Sequence, residues 1–88
     1  MVRLIHEFKL TYPGGGIEQH VIWSVPRSAR QPDGIRYRLV YILREDETPA
    51  VLYDNHHPKG HHKHLGPVQL PYDFVNVEKL IEDFQKDV

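Results

Sequence analysis

The chain has 88 residues, 11 lysines and arginines against 12 aspartates and glutamates, a net charge of −1 with histidines neutral, and no cysteine. These numbers exclude disulfides and thiolate zinc sites, and a coat protein held on nucleic acid by net charge alone. No apolar run approaches the roughly 18 residues that a bilayer-spanning helix needs, and the N-terminal stretch lacks the apolar region of a signal peptide. A chain of this length makes one domain, residues 1–88, burying roughly 60–65% of its unfolded surface. A cytoplasmic protein with no membrane contact is the expectation. The neutrality conceals an uneven distribution: residues 27–44 carry Arg27, Arg30, Arg36, Arg38 and Arg44 against Asp33 alone, and residues 56–64 carry lysines and histidines with no acid. A local basic surface fits on such a molecule.

Residues 2–11 read as a strand with Val2, Leu4, Phe8 and Leu10 on one face, an alternation broken at Ile5 and His6. Pro13-Gly14-Gly15-Gly16 supplies a hairpin turn. Residues 17–26 resume the alternation, with Ile17, Val21, Trp23 and Val25 opposite Glu18, His20 and Ser24, and pair with the first strand. Pro26 to Gly34 reads as a loop. Residues 35–43 form a third strand that projects Arg36 and Arg38 from one face, about 7 Å apart. A turn over Glu45 to Pro49 leads to a fourth strand, Ala50 to Asp54, which runs into a histidine-rich segment. Residues 68–70 can add a short edge strand between Pro67 and Pro71. Asn76 caps a helix whose Val77, Leu80, Ile81, Phe84 and Val88 make one apolar stripe. That helix is expected to close a core with Trp23, Phe8 and Leu39. The predicted fold class is α+β: an antiparallel four- to five-stranded meander sheet with one C-terminal amphipathic helix packed on it.

Residues 53–66 hold five of the seven histidines, at 56, 57, 61, 62 and 64, with Asp54, Lys59 and Lys63. Histidine can donate a proton, accept one or bind a metal near neutral pH. The run is internal and interrupted, unlike an expression tag. In an extended piece His62 and His64 face one way, His61 and Lys63 the other. Four readings stand: a solvated polar loop, a metal site of His62 and His64 with Asp54 or His56, metal-independent ribonuclease chemistry, and a segment that docks a partner protein. Elsewhere the signals are weaker. Ser24 and Ser28 lack a nucleophile motif, and no helix follows Gly14-Gly15-Gly16 to make a phosphate loop. Trp23, Tyr37 and Tyr41 can stack on bases, but alternating strand positions point to the core. His6 and His20 are either paired by the first hairpin or, as the main expectation, set on a polar sheet face.

The whole chain resembles the TumE family, small toxins of toxin–antitoxin pairs. The resemblance rests on Tyr12-Pro13-Gly14-Gly15 before Val21-Ile22-Trp23, on Tyr37-Arg38-Leu39-Val40-Tyr41, and on Tyr53-Asp54-Asn55. Lys59-Gly60, His62-Lys63-His64 with Gly66, and a last helix ending in Asp83-Phe84 complete it. Members of that family often carry Asp-His-Arg-His where this chain has His61-His62-Lys63-His64, so His62 and His64 are the matched histidines. His56, His57 and His61 read as local variation. The resemblance implies a toxin held inactive by a cognate antitoxin, typically a helix-turn-helix protein.

The expected activity is that of a toxin-type ribonuclease without cofactor or metal, acting on RNA. His62 and His64 form the acid/base pair, Asp54 orients one imidazole and Lys59 contacts phosphate. Arg36, Arg38, Lys63 and Asn55 are the expected substrate contacts. The alternative is a non-catalytic module whose histidine loop docks an antitoxin or a divalent metal. An exposed edge strand in so small a sheet also leaves room for a second copy.

Overall fold

A computed structural model describes residues 1–44, 49–56 and 59–88. Strands β1 (Arg3–Thr11), β2 (Ile17–Ser24), β3 (Ile35–Ile42), β4 (Val51–Asp54), β5 (His62–Leu65) and β6 (Val68–Pro71) precede one helix, α1 (Val77–Asp87). The strands form one antiparallel meander in chain order. The α+β class and the helix agree with the sequence reading, but the sheet has six strands rather than four or five. The additional strand is β5, which lies within the histidine segment expected to be a loop. The expected turn at 45–48, and His57 and Pro58, lie outside the described residues.

The β1–β2 hairpin turns through Gly14 and Gly15, whose φ values of 96° and 102° suit glycine and few other residues. Asn76 caps α1 as predicted: its Oδ1 accepts the Lys79 amide at 2.8 Å, satisfying one of the free donors at the helix start. The helix lies over one sheet face. Leu80 and Phe84 pack there against Ile22, Tyr37, Leu39, Val51 and Tyr53, each fully buried apolar side chain contributing about 1.5–3 kcal/mol. The helix end is tied down by polar contacts. The Tyr53 hydroxyl donates to Asp87, Lys63 pairs with Asp87 at 3.1 Å, and Tyr72 donates to Asp83 at 2.7 Å. Hydrogen bonds from Lys79 and Tyr72 hold the Asp83 carboxyl below its ordinary range.

Trp23 is not in this core. The structure places it on the opposite face, 37% exposed, and the side of β2 that faces the helix carries Glu18, His20 and Ile22. The reason lies in the next strand. Pairing of His20 with Leu39 and Ile22 with Tyr37 puts the apolar side of β3 under the helix, because the other side carries Arg36 and Arg38. Strand β2 must follow, since cross-strand partners share a face. Strand β1 follows too, through a register shift between Leu4 and His6, where its alternation broke in the sequence. Leu4 therefore pairs with Trp23 on the open face, and His6 with Ile22 on the covered one.

The polar groups on the covered face satisfy one another. Glu18, 3% exposed, accepts from the Tyr12 hydroxyl at 2.6 Å and pairs with His20 Nε2 at 2.6 Å. His20, 1% exposed, meets His6 Nε2 through Nδ1 at 3.1 Å, and its ring packs edge-on to Phe84. Burial pushes the Glu18 carboxyl up, but the hydrogen bonds from Tyr12 and His20 outweigh it and hold the group below its ordinary value. Burial also lowers His20, against the pull of Glu18. The pair thus holds an ionised carboxylate beside a neutral imidazole. Of the two placements the sequence left open for His6 and His20, a polar sheet face or a pair made by the first hairpin, the structure shows the pair, and it lies under the helix.

Candidate site on the open sheet face

The second sheet face carries no further layer of secondary structure among the described residues, and the histidine pair projects from it. Strand alternation places Arg36 and Arg38 of β3, Asp54 of β4, and His62 and His64 of β5 on this side. Arg38, Asp54 and His62 stand in one cross-strand row. His64 lies one row along, between Leu52 and Gln69. The His62 and His64 rings are 5.1 Å apart and nearly perpendicular.

His62 is held tightly. Its Nδ1 donates to the Gly60 carbonyl at 2.8 Å, and its Nε2 lies 3.0 Å from Asp54 Oδ1. Gly60, at φ 71°, turns the chain so that its carbonyl can reach that ring. Both ring nitrogens of His62 are therefore engaged by oxygen atoms, one from the backbone and one from a carboxylate. Asp54 Oδ1 also accepts the His56 amide at 3.1 Å, which fixes the carboxylate at the strand end. His62 is 5% exposed. His64 is half-buried beside it and is the more accessible of the two rings.

Around the pair, Lys59 is exposed, and its Nζ donates to Gln69 Oε1 at 3.1 Å, on the His64 side. Arg36 and Arg38 are exposed, and among the described residues neither has an ion-pair partner. A shallow cavity of about 200 Å³ joins Arg36 and Arg38 to Asp54 and His56. Two residues expected to contact substrate are placed elsewhere. Lys63 faces the helix and is engaged by Asp87 and the Tyr53 hydroxyl. Asn55 is buried, and its amide replaces a strand partner: Oδ1 accepts the Tyr37 amide at 3.0 Å, and Nδ2 donates to the Ile35 carbonyl at 2.7 Å. Among the described residues, no three His, Cys, Asp or Glu side chains converge as metal ligands. The expected grouping of His62 and His64 with Asp54 or His56 is therefore not a ligand set in this arrangement.

His61, read as local variation in the sequence, is the centre of a separate network. Its Nε2 meets Asp33 at 2.7 Å, its Nδ1 meets the Tyr37 hydroxyl at 3.0 Å, and its ring stacks on Phe74. Burial pushes the Tyr37 phenol well above its ordinary value, so it stays a donor to that ring. The network pins the 26–34 loop against the end of the sheet. The only sequence signal for it was parity, since His61 had to point away from His62.

No curated protein and no solved structure matches the chain. No helix among the described residues is long and apolar enough to cross a membrane. The family described as Toxin TumE matches residues 3–88, a span that includes all six strands, the histidine pair and the helix, and the chain therefore belongs to the TumE toxin family.

Proposed function

We propose that this toxin is a metal-independent ribonuclease whose site is the histidine pair on the open sheet face. The observation that carries the reading is the row of Arg38, Asp54 and His62 with His64 beside it, two imidazoles 5.1 Å apart flanked by exposed cations. His64 takes the proton of a ribose 2′-hydroxyl, and the 2′-oxygen attacks the adjacent phosphorus. The departing 5′-oxygen takes the Nε2 proton of His62, which Asp54 orients until the phosphate competes for it. The products are a 2′,3′-cyclic phosphate and a 5′-hydroxyl. Arg38, Arg36 and Lys59 stabilise the charge on the five-coordinate phosphorus.

The test is cleavage of RNA by the purified chain with and without EDTA. Chelator should leave the rate unchanged, and His64→Ala should lower it by about 10²–10⁴-fold, the usual worth of a positioned acid or base. The rate should be bell-shaped in pH, because one ring must be neutral and the other protonated. Abolition of cleavage by EDTA, or full activity in His64→Ala, sinks the mechanism.

A non-catalytic reading is favoured by one observation: both nitrogens of His62 are engaged and the ring is mostly buried. In that reading the loop docks a cognate antitoxin of the helix-turn-helix type, and the free chain does not cleave RNA. In the catalytic reading the same antitoxin blocks cleavage when added. The long β1 edge is where a second copy of the chain would pair.

A further inference from the structure

We propose that the open sheet face beside the histidine pair is a track for single-stranded RNA, in which an unpaired base stacks on Trp23 and its phosphates pass over Arg36 and Arg38. The proposal takes its substrate class from the ribonuclease reading and adds the element that selects for unpaired nucleotides. A groove of about 540 Å³ runs along this face. Val21, Trp23 and Val25 of the second strand and its extension supply its apolar side. Arg36 and Arg38 supply its charge, Gln19 adds one amide, and no carboxylate lines it.

Register makes the combination specific. Trp23 is opposite Arg36, and Val21 is opposite Arg38, so the indole and both guanidiniums lie on adjacent strands about 5 Å apart. The indole is 37% exposed, so a broad part of its ring surface is open to a ligand. A flat π surface next to two cations matches a nucleotide, which is itself a flat base joined to an anion. An acidic peptide would meet the arginines and leave the indole without a partner. A duplex keeps its bases stacked inside and presents only phosphate.

The groove also leads to the candidate site. Arg36 and Arg38 line both this groove and the smaller cavity beside Asp54. From β2 to β5 is three strand spacings, about 14 Å, room for a short run of nucleotides between the stacked base and His62. The base on Trp23 is therefore bound away from the bond to be cut, and it sets the strand's position over the imidazoles.

Trp23 is the one tryptophan in the chain, so its fluorescence reports this surface alone. The probe is a short 2′-O-methyl RNA, which lacks the attacking hydroxyl and cannot be cleaved. It is compared with the same sequence as a duplex and with polyglutamate. The single strand should quench Trp23 saturably, and its affinity should fall with salt. Arg36→Gln and Arg38→Gln are exposed changes that leave the core intact, and each should flatten the salt dependence by about 0.7 in log–log slope. Trp23→Ala, read by anisotropy of a labelled probe, should weaken binding about 5- to 150-fold, the range for a lost base–aromatic stack.

Absence of quenching by the single strand overturns the proposal, as does equal quenching by duplex or by polyglutamate. So does an emission change that follows protein concentration without RNA, which would assign the face to a second copy. The two readings also fail separately. Tight binding without cleavage of ordinary RNA rejects the ribonuclease and keeps the track. Undiminished cleavage and undiminished probe binding in Trp23→Ala, a residue outside the proposed chemistry, reject the track and keep the ribonuclease.

Discussion

Replacing Glu18 by alanine tests whether the buried polar cluster holds β1, β2 and the helix together. Glu18 accepts hydrogen bonds from Tyr12 and from His20, each at 2.6 Å. A hydrogen bond to a charged partner contributes about 1.5–3 kcal/mol. The substitution removes both and leaves the His20 N–H buried without an acceptor. It also relieves the desolvation cost of the ion, which offsets part of the loss. A net destabilisation of about 3 kcal/mol results, and at about 4–8 °C per kcal/mol in a domain of this size the melting temperature falls by about 12–24 °C. Glu18→Gln should cost less, since the amide can still accept from Tyr12 while His20 turns to its other tautomer.

The same cluster predicts the pH dependence of stability. The Glu18 carboxyl is held below its ordinary value of 4.5, so its contribution is present above that pH and is lost as pH falls through the lower folded value. The His20 ring is also lowered. Below its ordinary 6.5 the unfolded chain takes up a proton that the folded ring resists, so stability falls there too. Both effects have one sign. Urea denaturation between about pH 7.5 and 4 should show stability decreasing throughout, with the lower part of the fall reduced in Glu18→Gln. Stability that is flat or rising on acidification to pH 5, or a Glu18→Ala variant within about 0.5 kcal/mol of the native chain, would refute the reasoning.

Two other expectations concern residues the structure moved away from the candidate site. Asn55→Ala should cost about 1–3 kcal/mol, because the Tyr37 amide and the Ile35 carbonyl lose a buried partner; hydrogen exchange at the Tyr37 amide should accelerate locally. Lys63→Met should change stability by less than about 1 kcal/mol, as expected for a partly exposed ion pair. It should also leave RNA cleavage unchanged, since Lys63 lies across the sheet from His64, and a large drop in rate would contradict that placement.

Strand periodicity was legible wherever one side of a strand was plainly more polar. In β3 the alternation of Arg36 and Arg38 with Tyr37 and Leu39 assigned both faces correctly. In β2 it misled, because Glu18 and His20 look like solvent-facing residues until Tyr12 and His6 are brought beside them by the hairpin. Trp23 was assigned to the core by the same inversion. The six-strand count was missed because His62 to Leu65 carries no β-branched residue. That segment becomes a strand by pairing on both sides, with β4 and β6, and not through its own propensity.

From its sequence alone the chain determined an antiparallel meander, a capped terminal helix, and a histidine pair sharing one face, because these depend on residue spacing and on turn chemistry close in the chain. Only tertiary structure decided which sheet face the helix would cover. That choice buried Glu18 and His20, left Trp23 beside two arginines on the open face, and put Lys63 under the helix. The physical reason is that a strand's two faces are equivalent to its own backbone. Their fates differ only when neighbouring strands, joined in register, commit one whole side of the sheet to the helix.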